Sequence, residues 1–207
     1  MLIIGAKGFA KELLEVAIEN NYFKIYFFDN VSNDIDHVLY DKYEILKNDN
    51  EVFTLFKTDN SFSIGIGNSF LRKKMYDKFS SMGGKITSLV STKSHIGSFS
   101  TIIEKGANIL QGSVITNGCT VGKCVLVNPN VTISHDVTIG DFVEIAPGAN
   151  ITGGVSIDDF TFVGANAVIL PRIKIGKNVI VGAGAVVTKD VPDGFTVVGI
   201  PAKPIKK

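Results

Sequence analysis

The chain carries three histidines, His37, His95 and His135, so the choice of an imidazole base is short. His37 lies in the polar stretch VSNDIDHVLYD and reads as a solvated loop residue, and His95 sits at a junction between two rhythms of the chain. His135 is different, because it holds the third place of Ile133-Ser134-His135-Asp136-Val137-Thr138, where a side chain emerges beside a corner and not into an aliphatic core. A neutral imidazole there can take a proton from an attacking amine or hydroxyl, and a carboxylate such as Asp136 favours its protonated form. The competing assignment is a surface histidine on a repeat, since histidine is common on surfaces. A second group of residues suits anion binding. Gly5-Ala6-Lys7-Gly8 precedes a helical stretch, so its backbone amides can face a phosphate, and Asp29 ends a strand where it can accept hydrogen bonds from a base or ribose. The turn lacks the third glycine of a dinucleotide site, which disfavours a redox NAD function, and a purely structural glycine turn is the alternative. No metal is expected. One histidine inside the regular repeat cannot supply three ligands, and Cys119 and Cys124 fall at core-like and corner positions with no second pair. Neither a Ser-His-Asp signature, nor a Walker loop, nor a basic-aromatic nucleic-acid surface is present.

Composition narrows the partners. The 207 residues are 45% hydrophobic with a formal net charge of +1, so no general attraction toward nucleic acid or anionic membrane exists, and the charges are spread out apart from the Lys206-Lys207 tail. Small molecules or further copies of the chain are the natural partners. Two cysteines suit a reducing compartment. MLIIGAKGFA has no basic region ahead of a short apolar run, and no window approaches the roughly 20 apolar residues of a spanning helix, so a cytoplasmic location is expected without membrane insertion.

The elements that position His135 follow from a six-residue repeat. From Ile103 onward every sixth residue to Val187 is Ile or Val, fifteen in a row, and the residue four places after each is small or β-branched, from Ala107 to Val191. A helix needs apolar spacing near 3.6 and a simple strand 2, whereas six suits a short strand and a corner, three of which close a triangular coil. Eighteen residues make a coil, and five coils run from about 103 to 192. The predicted fold of residues 92–207 is therefore a left-handed parallel β-helix, with anchors stacked inside and PDGFTVVGIPAKP as a cap. A β-sandwich of Val/Ile strands is the weaker alternative. Gly122, Gly140, Gly164, Gly176 and Gly182, each directly after an anchor, mark places where a side chain would hinder or a positive φ is wanted. The phase slips by one residue near Ile102, with Ile96-Gly97 opening an earlier partial turn.

Residues 1–91 have another rhythm. MLIIG and KIYFF read as strands around the helix FAKELLEVAIENN, whose stripe is Phe9, Leu13, Val16 and Ala17. FSIGIG reads as a further strand, NSFLRKKMYDKFSSMGG as a helix begun by Asn68 or Ser69, and KITSLV as a strand leading into the solenoid. A small Rossmann-like parallel sheet follows, with a ligand crevice beyond its strand ends bordered by residues 5–9, Asp29-Asn30 and residues 65–68.

GAKGFA, YFFDN, IGIGNSFLRKK, the fifteen hexads with ISHDVTIGDF, and the closing VVGIPAK together resemble the sialic-acid O-acetyltransferase and bacillosamine N-acetyltransferase family over the whole chain. The resemblance implies a homotrimer that transfers acetyl from acetyl-CoA to the amine of a nucleotide-linked 4-amino-deoxy sugar used in bacterial surface glycans. Sugar O-acetylation and a non-catalytic nucleotide-sugar scaffold are the alternatives. By the same resemblance, His135 is the base, Asp136 assists it and Asn128 stands near the reacting amine. The nucleotide sugar lies against Gly5, Lys7, Gly8, Asp29, Asn30, Gly67 and Asn68, and acetyl-CoA lies near Glu144, Gly153, Ala165, Ala183 and Lys203. Two positions depart from the pattern. Glu144 and Phe9 stand where relatives often have histidine. Nucleotide base, sugar stereochemistry and acyl length are not legible in these residues.

Overall fold

The structure, a computed structural model, describes residues 1–32 and 37–205. Residues 33–36, in the polar stretch before His37, and the Lys206-Lys207 tail lie outside the described residues. No described helix is long and apolar enough to cross a membrane.

The N-terminal unit contains β1 (Leu2–Ile4), α1 (Gly8–Glu19), β2 (Tyr26–Phe28), β3 (Val38–Leu39), β4 (Tyr43–Leu46), α2 (Asp49–Phe56), β5 (Ser61–Ile64), α3 (Ser69–Ser81) and β6 (Lys85–Ile86). Its sheet has the order β3-β4-β2-β1-β5-β6, parallel except for the β3-β4 pair. Strand order reverses at β1, which has β2 on one side and β5 on the other, and this is where open α/β sheets leave a crevice. α1 covers one face through Ala10, Leu13, Leu14, Val16 and Ala17, packed on Ile3, Phe27 and Ile45. Phe9, expected on that stripe, is only partly buried. Val52 of α2 and Phe79 of α3 cover the other face against Leu2, Ile4, Phe62 and Ile64.

Sequence patterning did not anticipate the β3-β4 hairpin or α2. α2 nevertheless carries a start signal, for Asn48 Oδ1 accepts from the Glu51 N–H at 3.1 Å while Glu51 accepts from the Lys47 N–H at 2.7 Å. This is a capping box reaching one residue further back than usual. KITSLV is not a single strand. Lys85–Ile86 closes the first sheet, and Leu89–Val90 pairs with Asn108–Ile109 as part of the solenoid.

The solenoid is a left-handed parallel β-helix with three faces. The first runs from Leu89–Val90 to Thr196–Val198, the second from His95–Ile96 to Val186–Val187, and the third from Ile102–Ile103 to Lys174–Ile175. Residues 18 apart pair, as Val127 does with Ile145, so the period read from the sequence is the coil. The anchors from Ile109 to Val187 are buried, Ile103 at the open end only partly so, and all fifteen residues four places after an anchor are buried. Two of these are hydroxylated. Ser113 donates to the Asn128 carbonyl and Thr161 to the Gly176 carbonyl, which removes the cost of burying them. The phase slip is a corner one residue longer than its neighbours between Ile96 and Ile102, and the earlier partial turn is a full coil starting at Leu89. Lys203–Pro204 runs antiparallel to Val197 and Val198 and closes the end.

The corners correct one expectation. Positive φ falls on the third residue after an anchor, including Gly118, Cys124, Asn130, Asp136, Phe142 and Phe160, and not on the glycines directly after anchors. Those glycines are required for space alone. A Cβ on Gly122 would stand 2.6 Å from the Gly140 carbonyl carbon, and one on Gly164 would stand 2.5 Å from the Ala183 nitrogen.

The two units are joined on the first face. Leu89, Leu110 and Leu126 share a core with α1, and Asn108 bonds Ser63 and the Ile64 carbonyl. Arg72 of α3 is buried, and each of its five N–H groups donates to a main-chain carbonyl, those of Ile66, Gly67, Cys124, Phe142 and Val143. Beside it Phe70, Phe160 and Phe142 stack at 5.3 and 5.4 Å, an aromatic column that offsets the strained left-handed backbone of the last two.

Candidate active site

The crevice at the ends of β1, β2 and β5 is a cavity of about 650 Å³. Gly5, Lys7, Gly8, Phe9, Asp29, Asn30 and Gly67 all line it, as the topology predicted. Gly5 adopts φ +101°, and a Cβ there would meet the Gly65 carbonyl oxygen at 2.9 Å, so the turn itself demands glycine. Gly8 is unlike it. A Cβ at that position meets nothing within 4 Å and φ is ordinary, so the fold does not need glycine there while the crevice gains room and an approachable helix N-terminus. Gly8→Leu is accordingly expected to leave the melting temperature nearly unchanged and to weaken binding of UDP, dTDP or GDP probes at least about tenfold, measured by calorimetry.

Asp29 is pinned. Its Oδ1 accepts from the Val31 and Ser32 N–H groups and its Oδ2 from the Ser32 hydroxyl at 3.0 Å. Burial raises its pKa, but these bonds outweigh burial and hold the carboxyl below the usual range. A carboxylate has about four acceptor sites, so one remains for a ligand. Asn68 is spent otherwise, for its side chain caps α3 by accepting from the Leu71 N–H at 2.9 Å. Lys74 and Lys78, one turn apart on α3, also line the cavity; Lys74 adds positive charge suited to phosphate, while Lys78 is paired with Asp49 Oδ1 at 2.6 Å. Sequence reading passed over both, although their i, i+4 spacing in SFLRKKMYDK was visible.

His135 occupies the corner between the second and third faces. Its Nδ1 lies 2.8 Å from Asp136 Oδ2, with both side chains 72% exposed. Sequence neighbours ordinarily diverge, and the left-handed φ of 59° at Asp136 turns its carboxylate back to the ring. With Nδ1 tied to a carboxylate as donor, Nε2 is the atom left to accept a proton. The ring rests against Gly153, where a Cβ would stand 2.6 Å from Nε2. Gly153 thus makes room for the imidazole, and Gly154, Pro171 and Arg172 complete a cavity of about 520 Å³. Arg172 was not anticipated. Its signal is periodic, since it lies 36 residues, two coils, beyond Asp136.

A third cluster joins the units. Glu144 projects from the first face with its carboxylate oxygens 3.4 and 3.5 Å from where a Gly67 Cβ would stand, at the edge of the crevice. Burial raises its pKa, partly opposed by the nearby Arg72 charge and by Asn128. Arg72 is itself pushed down to about 10 by burial. Asn128, on the preceding coil two residues past Leu126, the register partner of Glu144, is buried and donates to the Ile145 carbonyl at 3.0 Å.

The structure therefore groups Gly153 with His135 and Asp136, and sets Glu144 against Gly67 at the edge of the crevice with the buried Asn128 beside it. Ala165 and Ala183 stack one coil apart on the corner between the first and second faces, and Lys203 is exposed in the cap. In a triangular section the His135 corner lies opposite the first face, which carries the N-terminal unit, so within one chain the imidazole and the crevice face different directions. Among the described residues no group of three His, Cys, Asp or Glu side chains is placed to hold a metal ion.

Residues 1–79 match the model of the PglD N-terminal domain, and residues 118–153 and 154–189 each match the bacterial transferase hexapeptide model of six repeats. The whole chain is similar to solved structures. WeeI from Acinetobacter baumannii AYE is 31% identical with a TM-score of 0.87, covering 99% of this chain and 98% of that one. The acetyltransferase domain of PglB from Neisseria gonorrhoeae FA1090, in complex with acetyl coenzyme A, is 29% identical with a TM-score of 0.88 over 99% and 98%. PerB from Caulobacter crescentus, in complex with CoA and GDP-perosamine, is 25% identical with a TM-score of 0.90 over 99% and 96%.

Proposed function

The chain belongs to the bacterial hexapeptide transferases that carry a PglD-type N-terminal domain, and on that premise we propose that it acetylates the amine of a nucleotide-linked amino-deoxy sugar with acetyl-CoA. The observation that carries this reading is likeness across both units at once to an acetyltransferase domain solved with acetyl coenzyme A and to a protein solved with CoA and GDP-perosamine. The crevice supplies what a nucleotide sugar needs: a glycine turn at a helix N-terminus, lysines, and an ionised Asp29.

Transfer is direct. The amine attacks the thioester carbonyl, His135 Nε2 takes the proton released from nitrogen, and Asp136 stabilises the imidazolium before that proton passes to the departing thiolate. The opposed placement of His135 and the crevice supports a homotrimer in which the corner of one subunit, with His135, Asp136 and Gly153, meets the crevice and the Asn128-Glu144 face of another. Acetyl-CoA would lie in the groove between them, along Gly153, Ala165 and Ala183, with Lys203 at its phosphate end. Use of acetyl-CoA and two free buried cysteines fit action in the cytoplasm.

The test is an acceptor panel. UDP-, dTDP- and GDP-linked 4-amino-6-deoxy sugars and N-acylneuraminates are each incubated with acetyl-CoA, and products are weighed before and after alkali. An alkali-stable acetylated nucleotide sugar is expected. An alkali-labile ester on neuraminate establishes O-acetylation instead, and nucleotide-sugar binding without CoA binding establishes a scaffold.

A further inference from the structure

We propose that Glu144 selects the acceptor: from the first face of the solenoid its carboxylate reaches the crevice edge at Gly67 and holds the ammonium group of the incoming sugar, favouring an amine over a hydroxyl. This rests on the amine-acetylation reading above.

Position comes first. The turn at Gly5 borders Gly65 and Ile66, Gly67 follows on the same cavity lining, and both carboxylate oxygens of Glu144 lie 3.4 and 3.5 Å from where a Gly67 Cβ would stand. A nucleotide sugar with its phosphates at the Gly5–Gly8 turn thus has Glu144 within reach of its sugar across Gly67. Availability comes second. Arg72 is the nearest positive charge, yet all five of its N–H groups are committed to carbonyls, so it gives Glu144 a favourable field and no hydrogen bond. The Asn128 amide, whose other bond goes to the Ile145 carbonyl, is the remaining group acting on the carboxylate among the described residues. A partly buried carboxylate with acceptor sites to spare suits a cation, and an ammonium adds a charge-assisted hydrogen bond there that a neutral hydroxyl cannot match. Burial also raises the Glu144 pKa, which suits a group that must then accept a proton.

The proton count closes. The bound ammonium gives its first proton to Glu144, which releases it to solvent. The neutral amine then forms the C–N bond as the C–S bond breaks, and its second proton travels through His135 to the thiolate.

Glu144→Gln keeps the shape and removes the charge. The experiment uses the best amino-sugar acceptor from the panel and its 4-hydroxy counterpart as a competitive inhibitor, with CoA affinity measured separately. Expected are a rise in acceptor KM of about tenfold or more, loss of the preference for amine over hydroxyl, unchanged CoA affinity, and partial recovery in Glu144→Asp. An unchanged amine preference, or a loss of CoA affinity in place of acceptor affinity, overturns the proposal and leaves amine acetylation standing. A wild-type enzyme that acetylates no amine overturns both.

Discussion

His135→Ala lowers kcat by roughly two to four orders of magnitude, the usual worth of a positioned base, while the subunits fold and assemble as before. Structural damage is not expected, because the side chain is 72% exposed and contributes nothing to the ladder of Ile and Val beneath it. Steady-state rates and a melting curve check both halves, and full activity in the variant removes His135 from the mechanism. The opposed geometry gives this variant a second use. If corner and crevice come from different subunits, random mixed trimers of His135→Ala and Gly8→Leu contain intact sites, roughly a quarter of the total, with normal kcat and normal acceptor affinity, which neither parent combines. If both halves come from one subunit, no intact site forms and the mixture behaves as the sum of its parents.

Arg72→Leu has the largest expected effect on stability. The substitution removes a donor from five carbonyls, of which, among the described residues, only that of Val143 keeps another partner, the Leu126 N–H, and breaking such a buried charged group costs about 3–5 kcal/mol. Because those carbonyls belong to the β5–α3 loop and to two coils, the loss falls on the seam. Chemical denaturation should show the N-terminal unit unfolding ahead of the coils in place of a single transition. Arg72→Lys should recover little, since a point charge cannot reach five planar acceptors. A variant with unchanged denaturation midpoint shows that the seam rests on Leu89, Leu110 and Leu126 instead.

The solenoid was legible because a β-helix writes its geometry directly as periodicity: the anchors that the sequence placed inside are inside, and the 18-residue coil is the observed pairing interval. The crevice was legible because strand order follows from βαβ connections, which brought Gly5, Gly8, Asp29 and Gly67 together from distant positions. Three things were not. Seam residues such as Arg72 carry no local pattern, since their partners are main-chain atoms, three of its five in the other unit. The pairing of His135 with Asp136 depends on a left-handed residue, and asparagine, phenylalanine and glycine hold equivalent corners elsewhere, so residue type does not reveal it. α2 was missed despite its capping signal and an amphipathic pattern like that of α1, because eight residues make barely two turns over which such a pattern can repeat.

The fixed coil also makes the molecule a ruler. Residues 18 apart occupy the same azimuth roughly 4.8 Å higher, the spacing of hydrogen-bonded strands. Height on the enzyme therefore comes in whole steps: an insertion or deletion of 18 residues beyond Glu144 lengthens or shortens the solenoid without rotating a retained side chain, while one of 17 or 19 keeps the ladder only if a corner takes up the odd residue, as the long corner between Ile96 and Ile102 does. Reach can thus change by counting, with the chemistry left where it stands.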